Sequence, residues 1–369
     1  MYKKLCGILL IVMLLFGMAA APVGAAETAS AREDAEDNSP AVLNGLVKEN
    51  GETWYYVDGV KQTDSWYKDG KKSYYFLQDG RMAVGMTEIN GKYYYFKSNG
   101  RMVTGMKKID GKYYYFKSNG QRKTGWLHQD NGKSYYFDKK TGVRLTGKHT
   151  ISHYIRYFDK KGVLYRSIDK NKKMVALTYD DGPSKDTPAI LKVLKANNSV
   201  ATFFVVGNRV ASYKSTVKKA YEQGCEIANH TYSHQILTRV GASAIKSQVS
   251  KTNRIIKKIT GKSPRLLRTP GGAVSGKVKS AVGMPMINWS VDTLDWKTRS
   301  ASKTVKAVLN HVKDGDIVLM HDLHHCTAVA SRTIIPKLVK KGYQLVTVSE
   351  LAECRGSLKK GRVYTSFRK

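Results

Sequence analysis

Two adjacent carboxylates, Asp180 and Asp181, stand just beyond an apolar run, Met174-Val175-Ala176-Leu177, and directly before Gly182-Pro183. The run reads as a short buried strand, and the Gly-Pro pair as the turn that ends it. Like charges side by side are costly to bury unless a cation or hydrogen bonds compensate them. Taken alone, the stretch reads first as a solvated Asp-Asp-Gly-Pro turn. A second strand end, at Ala228, is followed by His230 and His234. Imidazoles four residues apart converge on one point if the chain enters a helical turn there. Imidazole suits zinc and other borderline metals, so the histidines and a strand-end aspartate would make a two-His, one-carboxylate site with open positions. The spacing by itself fits two surface or capping histidines as well.

Three further strand ends carry ionisable groups. Arg268 follows Leu266-Leu267 and precedes Pro270-Gly271-Gly272, a turn that allows close backbone approach to a ligand. Asp292 and Asp295 follow Trp289-Ser290-Val291, and His321-Asp322 ends the run 317–320. Each could be a charged loop, and Arg268 alone a surface charge. Five such ends in order point to one shared site.

The elements that must position them alternate. Runs 174–177, 201–206, 226–228, 286–291, 317–320 and 344–348 read as strands. Stretches 187–196, 212–223, 242–259, 301–312 and 327–341 read as helices. Strand and helix in alternation imply an α/β layout with a parallel sheet or barrel, whose chemistry gathers where strands end.

Upstream the pattern differs. Residues 44–166 are dominated by Tyr, Gly and Lys, and they repeat: Asn90-Gly91-Lys92-Tyr93-Tyr94-Tyr95-Phe96 returns twenty residues later as Asp110-Gly111-Lys112-Tyr113-Tyr114-Tyr115-Phe116. The same landmarks recur at Tyr74-Tyr75-Phe76 and Tyr135-Tyr136-Phe137, and Trp54-Tyr55-Tyr56 and Tyr157-Phe158 look like weaker terminal copies. Turn residues, an aromatic strand and a second Gly turn are a β-hairpin signature, and hairpins that cannot bury their own aromatic faces should stack as a solenoid. Most of the aromatics are then inter-repeat core.

Lys3 and Lys4, an apolar run and small residues to Ala26 form a secretory signal pattern over 1–26. The run is short for a membrane span, so no span is expected after cleavage. Residues 27–43 read as a disordered spacer. The formal charge is +34; without Lys3 and Lys4 it is +32, which favours anionic surroundings. The basic residues are dispersed, which indicates no nucleic-acid module. After the signal, Cys225, Cys326 and Cys354 remain, enough for one disulfide at most. Cys225 reads as a buried small hydrophobe, and His324, His325 and Cys326 as a polar loop.

In order, Thr178-Tyr179-Asp180-Asp181-Gly182-Pro183, His230-Thr231-Tyr232-Ser233-His234, Arg268-Thr269-Pro270-Gly271-Gly272, Asp292-Thr293-Leu294-Asp295-Trp296 and Leu319-Met320-His321 resemble the five motifs of the NodB-homology polysaccharide deacetylases. The resemblance covers roughly residues 170–350. It implies an irregular (β/α) barrel over 167–369 that removes acetyl groups from polysaccharides with one divalent metal. Zinc is the expected ion, with cobalt, nickel, manganese and iron compatible.

By the same resemblance Asp181, His230 and His234 are metal ligands, Asp180 the base and His321 the acid. Asp295 tunes His321, Arg268 orients Asp180, and Gly271, Trp296 and Leu319 bind substrate. Tyr179 replaces the commoner phenylalanine, and Gly271 stands where many members carry an aromatic residue. The repeats resemble the cell-wall-binding repeats of choline- and glucan-binding surface proteins. Choline-binding members use a tryptophan-rich cage, whereas only Trp54, Trp66 and Trp126 occur in this region.

The implied protein is secreted and held non-covalently on the bacterial wall by a wall polysaccharide or teichoic polymer, deacetylating N-acetylglucosamine of peptidoglycan. The alternatives are a deacetylase of chitin oligomers, poly-N-acetylglucosamine or acetylxylan, and a non-catalytic wall-binding protein.

Overall fold

The computed structural model describes residues 42–368, so the signal pattern and nearly all of the spacer lie outside the described residues. These fall into two compact units, residues 42–84 with 98–101, and residues 85–97 with 102–368.

The first unit is built of antiparallel strands. Gly45–Glu49 pairs with Glu52–Val57 and that with Val60–Lys61, while Ser65–Asp69 pairs with Lys72–Phe76. Asn50-Gly51 turns the first hairpin with φ of 52° and 83°, the double left-handed geometry that Asn-Gly adopts most readily.

The second unit begins with hairpins of the same kind. Gly85–Ile89 pairs with Lys92–Phe96, Gly105–Ile109 with Lys112–Phe116, and Gly125–His128 with Ser134–Phe137. The last aromatic of each, Phe96, Phe116 and Phe137, is fully buried. A three-stranded sheet, Gly147–Ile151, Tyr154–Phe158 and Leu164–Asp169, follows them.

Then the alternation begins. Strands β1 (Met174–Asp180), β2 (Thr202–Val205), β3 (Glu226–Asn229), β4 (Met286–Ile287), β5 (Val291–Asp292), β6 (Asp316–His321) and β7 (Gln344–Leu345) are interspersed with helices. The main sheet is parallel in the order β3-β2-β1-β6-β5, with β7 on β1. Single parallel bridges join Asn229 to Leu267 and Leu267 to Met286.

The period of two in β1 divides the core. Val175, Leu177 and Tyr179 pack with residues of the helices Thr187–Ala196 and His325–Lys340. Met174 and Ala176 face another cluster with Phe204, Ala228, Leu266, Ile287 and Ile317. That second core does not stop at residue 167, where the sequence pattern changes. Ile155 and Ile168 of the three-stranded sheet belong to it.

Three local expectations are corrected. The run 286–291 is not one strand, because the Ile287 and Asn288 carbonyls accept from the Arg268 guanidinium. The run 344–348 stops at Leu345; Thr347 caps the helix Val348–Arg355, its hydroxyl accepting from Glu350 N–H while the Glu350 carboxylate takes the Thr347 N–H. His230 and His234 are not on a helical turn: the chain bends through left-handed Thr231 and His234, at φ of 66° and 56°.

Candidate active site

The inward face of β1 ends in Asp180, that of β6 in His321, and both open on the same cavity of about 320 Å³. Asp181, one residue past β1, is left-handed at φ 69°, which turns its carboxylate beside Asp180 rather than away from it. Non-glycine residues held in this region are strained by about 1–3 kcal/mol each. Asp181, Thr231 and His234, together with Leu294 at φ 52°, concentrate that strain at the site.

Asp181 Oδ1 lies 3.3 Å from His230 Nε2 and 3.0 Å from His234 Nε2. The three ligand atoms fall within 4.8 Å of one another, the one such metal-competent group among the described residues. His230 Nδ1 stands 2.8 Å from the Arg268 carbonyl. A carbonyl only accepts, so that nitrogen carries the proton and Nε2 presents its lone pair to the shared point. Asp181 Oδ1 is buried and makes no hydrogen bond. A buried acceptor of this kind, with a lone pair beside it, fits a cation. Burial would raise the Asp181 carboxyl, but with protons rather than an ion between them the two imidazoles outweigh it and hold it well below the usual carboxylate range.

Asp180 is almost fully buried and accepts a 2.7 Å bond from Arg268 Nη1. Arg268 is itself wholly buried. Three more of its donors go to Thr178 Oγ1 at 2.7 Å and to the Ile287 and Asn288 carbonyls at 2.9 Å each. The guanidinium therefore holds one Asp180 oxygen in a fixed direction. Breaking such a buried pair costs about 3–5 kcal/mol, because the survivor is left without its counter-charge.

Asp295, fully buried, faces the His321 Nδ1 at 2.8 Å through Oδ1 and accepts from the His321 backbone N–H at 2.8 Å through Oδ2. Thr327 donates its hydroxyl to Oδ2 as well. Burial alone would favour neutral His321, but the hydrogen bond it donates to Asp295 and the charges of Asp295, Asp180 and Asp181 hold its pKa above the ordinary histidine value. Trp289, Asp292, Trp296, Leu319 and Gly271 complete the cavity wall.

Residues 167–286 match the polysaccharide deacetylase family. Residues 103–149 match a choline-binding repeat, and residues 64–82 and 88–102 a cell wall binding repeat. Peptidoglycan-N-acetylmuramic acid deacetylase PdaC of Bacillus subtilis is 38% identical over 230 residues, which are 62% of this chain and 48% of that protein. The solved structure of PdaC aligns at a TM-score of 0.50 and 42% identity, covering 51% of this chain and 93% of the solved one. Peptidoglycan-N-acetylglucosamine deacetylase PgdA of Listeria monocytogenes is 43% identical over 183 residues, 49% of this chain and 39% of that protein. A family 4 acetyl xylan esterase from Clostridium thermocellum, solved with a cobalt ion, aligns at a TM-score of 0.51 and 33% identity, covering 53% of this chain and 100% of that one.

The chain belongs to the polysaccharide deacetylase family.

It spans less than half the length of the PdaC and PgdA proteins it matches. Within this deacetylase domain every site residue expected from the sequence reaches the cavity or a residue lining it. Arg268 and Asp295 do so from behind, through Asp180 and His321.

Sequence reasoning missed Trp289 and Asp322. Trp289 lines the cavity and packs on left-handed Gly272, where a Cβ would stand 2.8 Å from its ring. The Gly-Gly pair before a tryptophan segment was the available signal. Asp322 lies buried against Gly182, whose Cβ would stand 2.2 Å from its carboxylate. Its pKa is pushed up to about 7 by burial, despite the Thr187 hydroxyl it accepts from. It stands beside His321 at a strand end in the sequence, but nothing local assigned it a role. The His324–His325–Cys326 cluster does not converge: His325 pairs with Asp186 and His324 contacts Arg299. Cys225, Cys326 and Cys354 are all free thiols, and Cys225 is buried as expected.

Proposed function

We propose that this chain is a metal-dependent deacetylase of N-acetylglucosamine residues in cell-wall peptidoglycan, exported and held on the wall by its repeats. The observation that carries the reading is the Asp181–His230–His234 triad, open to a cavity with a buried carboxylate on one side and a carboxylate-backed imidazole on the other. The names of PdaC and PgdA both support peptidoglycan as the polymer, that of PgdA supports N-acetylglucosamine as the sugar, and the matched repeats support the wall. We read the sheet, carried on through the single bridges at Leu267, as an irregular barrel, and the hairpins as a solenoid.

Asp181, His230 and His234 would hold the ion, with zinc the expected one. When bound, such an ion supplies Lewis-acid polarisation of the acetyl carbonyl and lowers the pKa of water. Asp180, aimed by Arg268, accepts a proton from the attacking water. The backbone N–H at Gly271 donates to the oxygen on which charge develops. His321, protonated and oriented by Asp295, gives its proton to the departing sugar amine. Trp296 and Leu319 seat the acetyl methyl group against apolar surface.

The test is acetate release from purified glycan strands, chitin oligomers and acetylxylan by the full chain, before and after chelation. Activity on glycan strands is expected to disappear with the metal and to return when zinc or cobalt is restored. Acetate released only from acetylxylan would sink the peptidoglycan assignment.

The His321 pair makes a second expectation. A raised pKa keeps the imidazole protonated to higher pH, so the acid remains competent on the alkaline side. Asp295→Asn removes the main raising partner. The alkaline limb of the kcat profile is expected to move to lower pH, together with a fall in kcat. A limb that stays in place would separate Asp295 from the titration.

A further inference from the structure

Several rings of the repeats are already provided with cations. In the second unit, Arg122 Cζ lies 4.1 Å from the centre of the Tyr93 ring, and Arg144 Cζ lies 4.1 Å from that of Tyr113. Arg156 Cζ is 3.8 Å from the Tyr154 ring and 5.3 Å from Trp126, whose indole also stacks on His128. In the first unit, Lys61 Nζ stands 3.4 Å from the centre of Trp54.

For Arg122 and Arg144 the arrangement is periodic and built into the backbone. Arg122 bridges Phe116 and Arg144 bridges Phe137. The Arg122 N–H donates to the Tyr93 carbonyl at 2.7 Å, and the Arg144 N–H to the Tyr113 carbonyl at 2.8 Å. Each arginine is thus tied by its main chain to the tyrosine whose ring it covers. Each side chain then crosses a left-handed glycine. A Cβ at Gly142 would stand 2.6 Å from Arg122, and one at Gly162 would stand 2.5 Å from Arg144. The arginine stems lie flat over these glycines, with Nε of each buried.

Two consequences follow from elementary electrostatics. A quaternary ammonium is held by ring faces that converge on it, and these faces already meet a positive charge. A second cation there is repelled by the first. Conversely, a guanidinium fixed flat on a ring has lost little freedom still to be lost, and its outer N–H fork matches an oxyanion. The only hydrogen bond among the described residues that either guanidinium makes is a 3.3 Å bond from Arg122 Nη2 to the Lys140 carbonyl. The stretch 85–166 holds 18 Lys and Arg against 5 Asp and Glu, so its field favours an anion.

We propose that Arg122 and Arg144 make these repeats anion-binding rather than choline-binding modules. Each guanidinium fills the ring face a quaternary ammonium would use and presents its outer N–H groups to an oxyanion, phosphodiester or carboxylate, of a wall polymer. The proposal deepens the wall-attachment reading. Its readout is polymer binding, so a failed deacetylase assignment would leave the test intact.

The experiment uses the full chain on three probes: choline chloride by calorimetry, an immobilised glycerol-phosphate polymer, and an immobilised uronic-acid polymer. The two polymers distinguish the phosphodiester from the carboxylate source. R122Q/R144Q is compared with K97Q/K117Q, which removes the same charge from exposed positions. Wild type is expected to give no saturable choline heat. Polymer affinity is expected to fall at least about tenfold in the arginine pair, and no more than about threefold in the lysine pair. Should R122Q/R144Q not fold, R122K/R144K keeps the charge without the planar fork and is still expected to weaken polymer binding. Saturable choline binding by the wild type, or equal losses in the arginine and lysine pairs, would overturn the proposal.

Discussion

Asp180→Asn is expected to lower kcat by roughly 10²–10⁴-fold, the span typical of a lost general base, while the protein keeps its full metal content. The separation of the two effects follows from the geometry. The three atoms that converge belong to Asp181, His230 and His234, and Asp180 Oδ2 stands further out, 3.7 Å from His230 Nε2. The amide can still take the Arg268 hydrogen bond through its oxygen, so the side chain keeps its direction and loses only its basicity. Arg268 loses its counter-charge, and some stability with it. The measurement is therefore kcat and KM on glycan strands, with metal content and melting temperature on the same preparation. Asp181→Ala and His230→Ala should behave differently, losing metal and activity together. Normal turnover in Asp180→Asn would show that another group takes the proton.

The contrast between Asp180 and Arg268 shows what a sequence carries. Asp180 was readable because a strand, two carboxylates and a turn are all local, and the run 174–177 sits inside the observed Met174–Asp180. Arg268 by itself read as a surface charge, yet it is wholly buried. What buries and satisfies it are Thr178, Asp180 and two carbonyls about twenty residues further on, and no local pattern encodes such partners. The same arginine explains why 286–291 looked like one strand and is two. Its apolar residues fit the pattern, but its central carbonyls are claimed by a side chain.

The histidines carry the opposite lesson. Spacing placed them together for a helical reason, whereas left-handed Thr231 and His234 achieve it in a loop. The convergence of these side chains was legible and the path between them was not. Tyr157 and Ile155 were hardest of all, since a tyrosine-rich hairpin looks alike whether it packs on another repeat or on the catalytic core.

That ambiguity carries the second large effect. A chain begun at residue 167 is expected to melt at least about 10 °C below one begun at residue 146. The shorter chain lacks Ile155, which is fully buried in the cluster containing Ala176, Phe204, Ala228 and Leu351. Emptying that site costs about 2–5 kcal/mol. It also lacks Tyr157, whose hydroxyl donates to Glu350 at 2.6 Å, and Arg166, whose Nη2 donates to Glu350 at 2.9 Å. Glu350 remains behind, nearly buried, with its helix cap as its surviving partner. An uncompensated buried carboxylate adds about 3–5 kcal/mol. Together these losses approach the whole stability of an ordinary domain, about 5–15 kcal/mol.

The pH dependence separates the two contributions. Burial would raise the Glu350 pKa, but Arg166 and the Tyr157 hydroxyl outweigh it and hold the group below its ordinary value. A depressed folded pKa contributes stability above the unfolded pKa, and that contribution disappears as pH falls through the folded one. The gap in melting temperature between the two chains should therefore narrow on acidification, leaving the part due to Ile155. In the longer chain Ile155→Ala should lower the melting temperature by the same amount at neutral and acid pH. A shorter chain that melts within about 2 °C of the longer one would show that the Gly147–Asp169 sheet is an attached repeat and no part of the catalytic core.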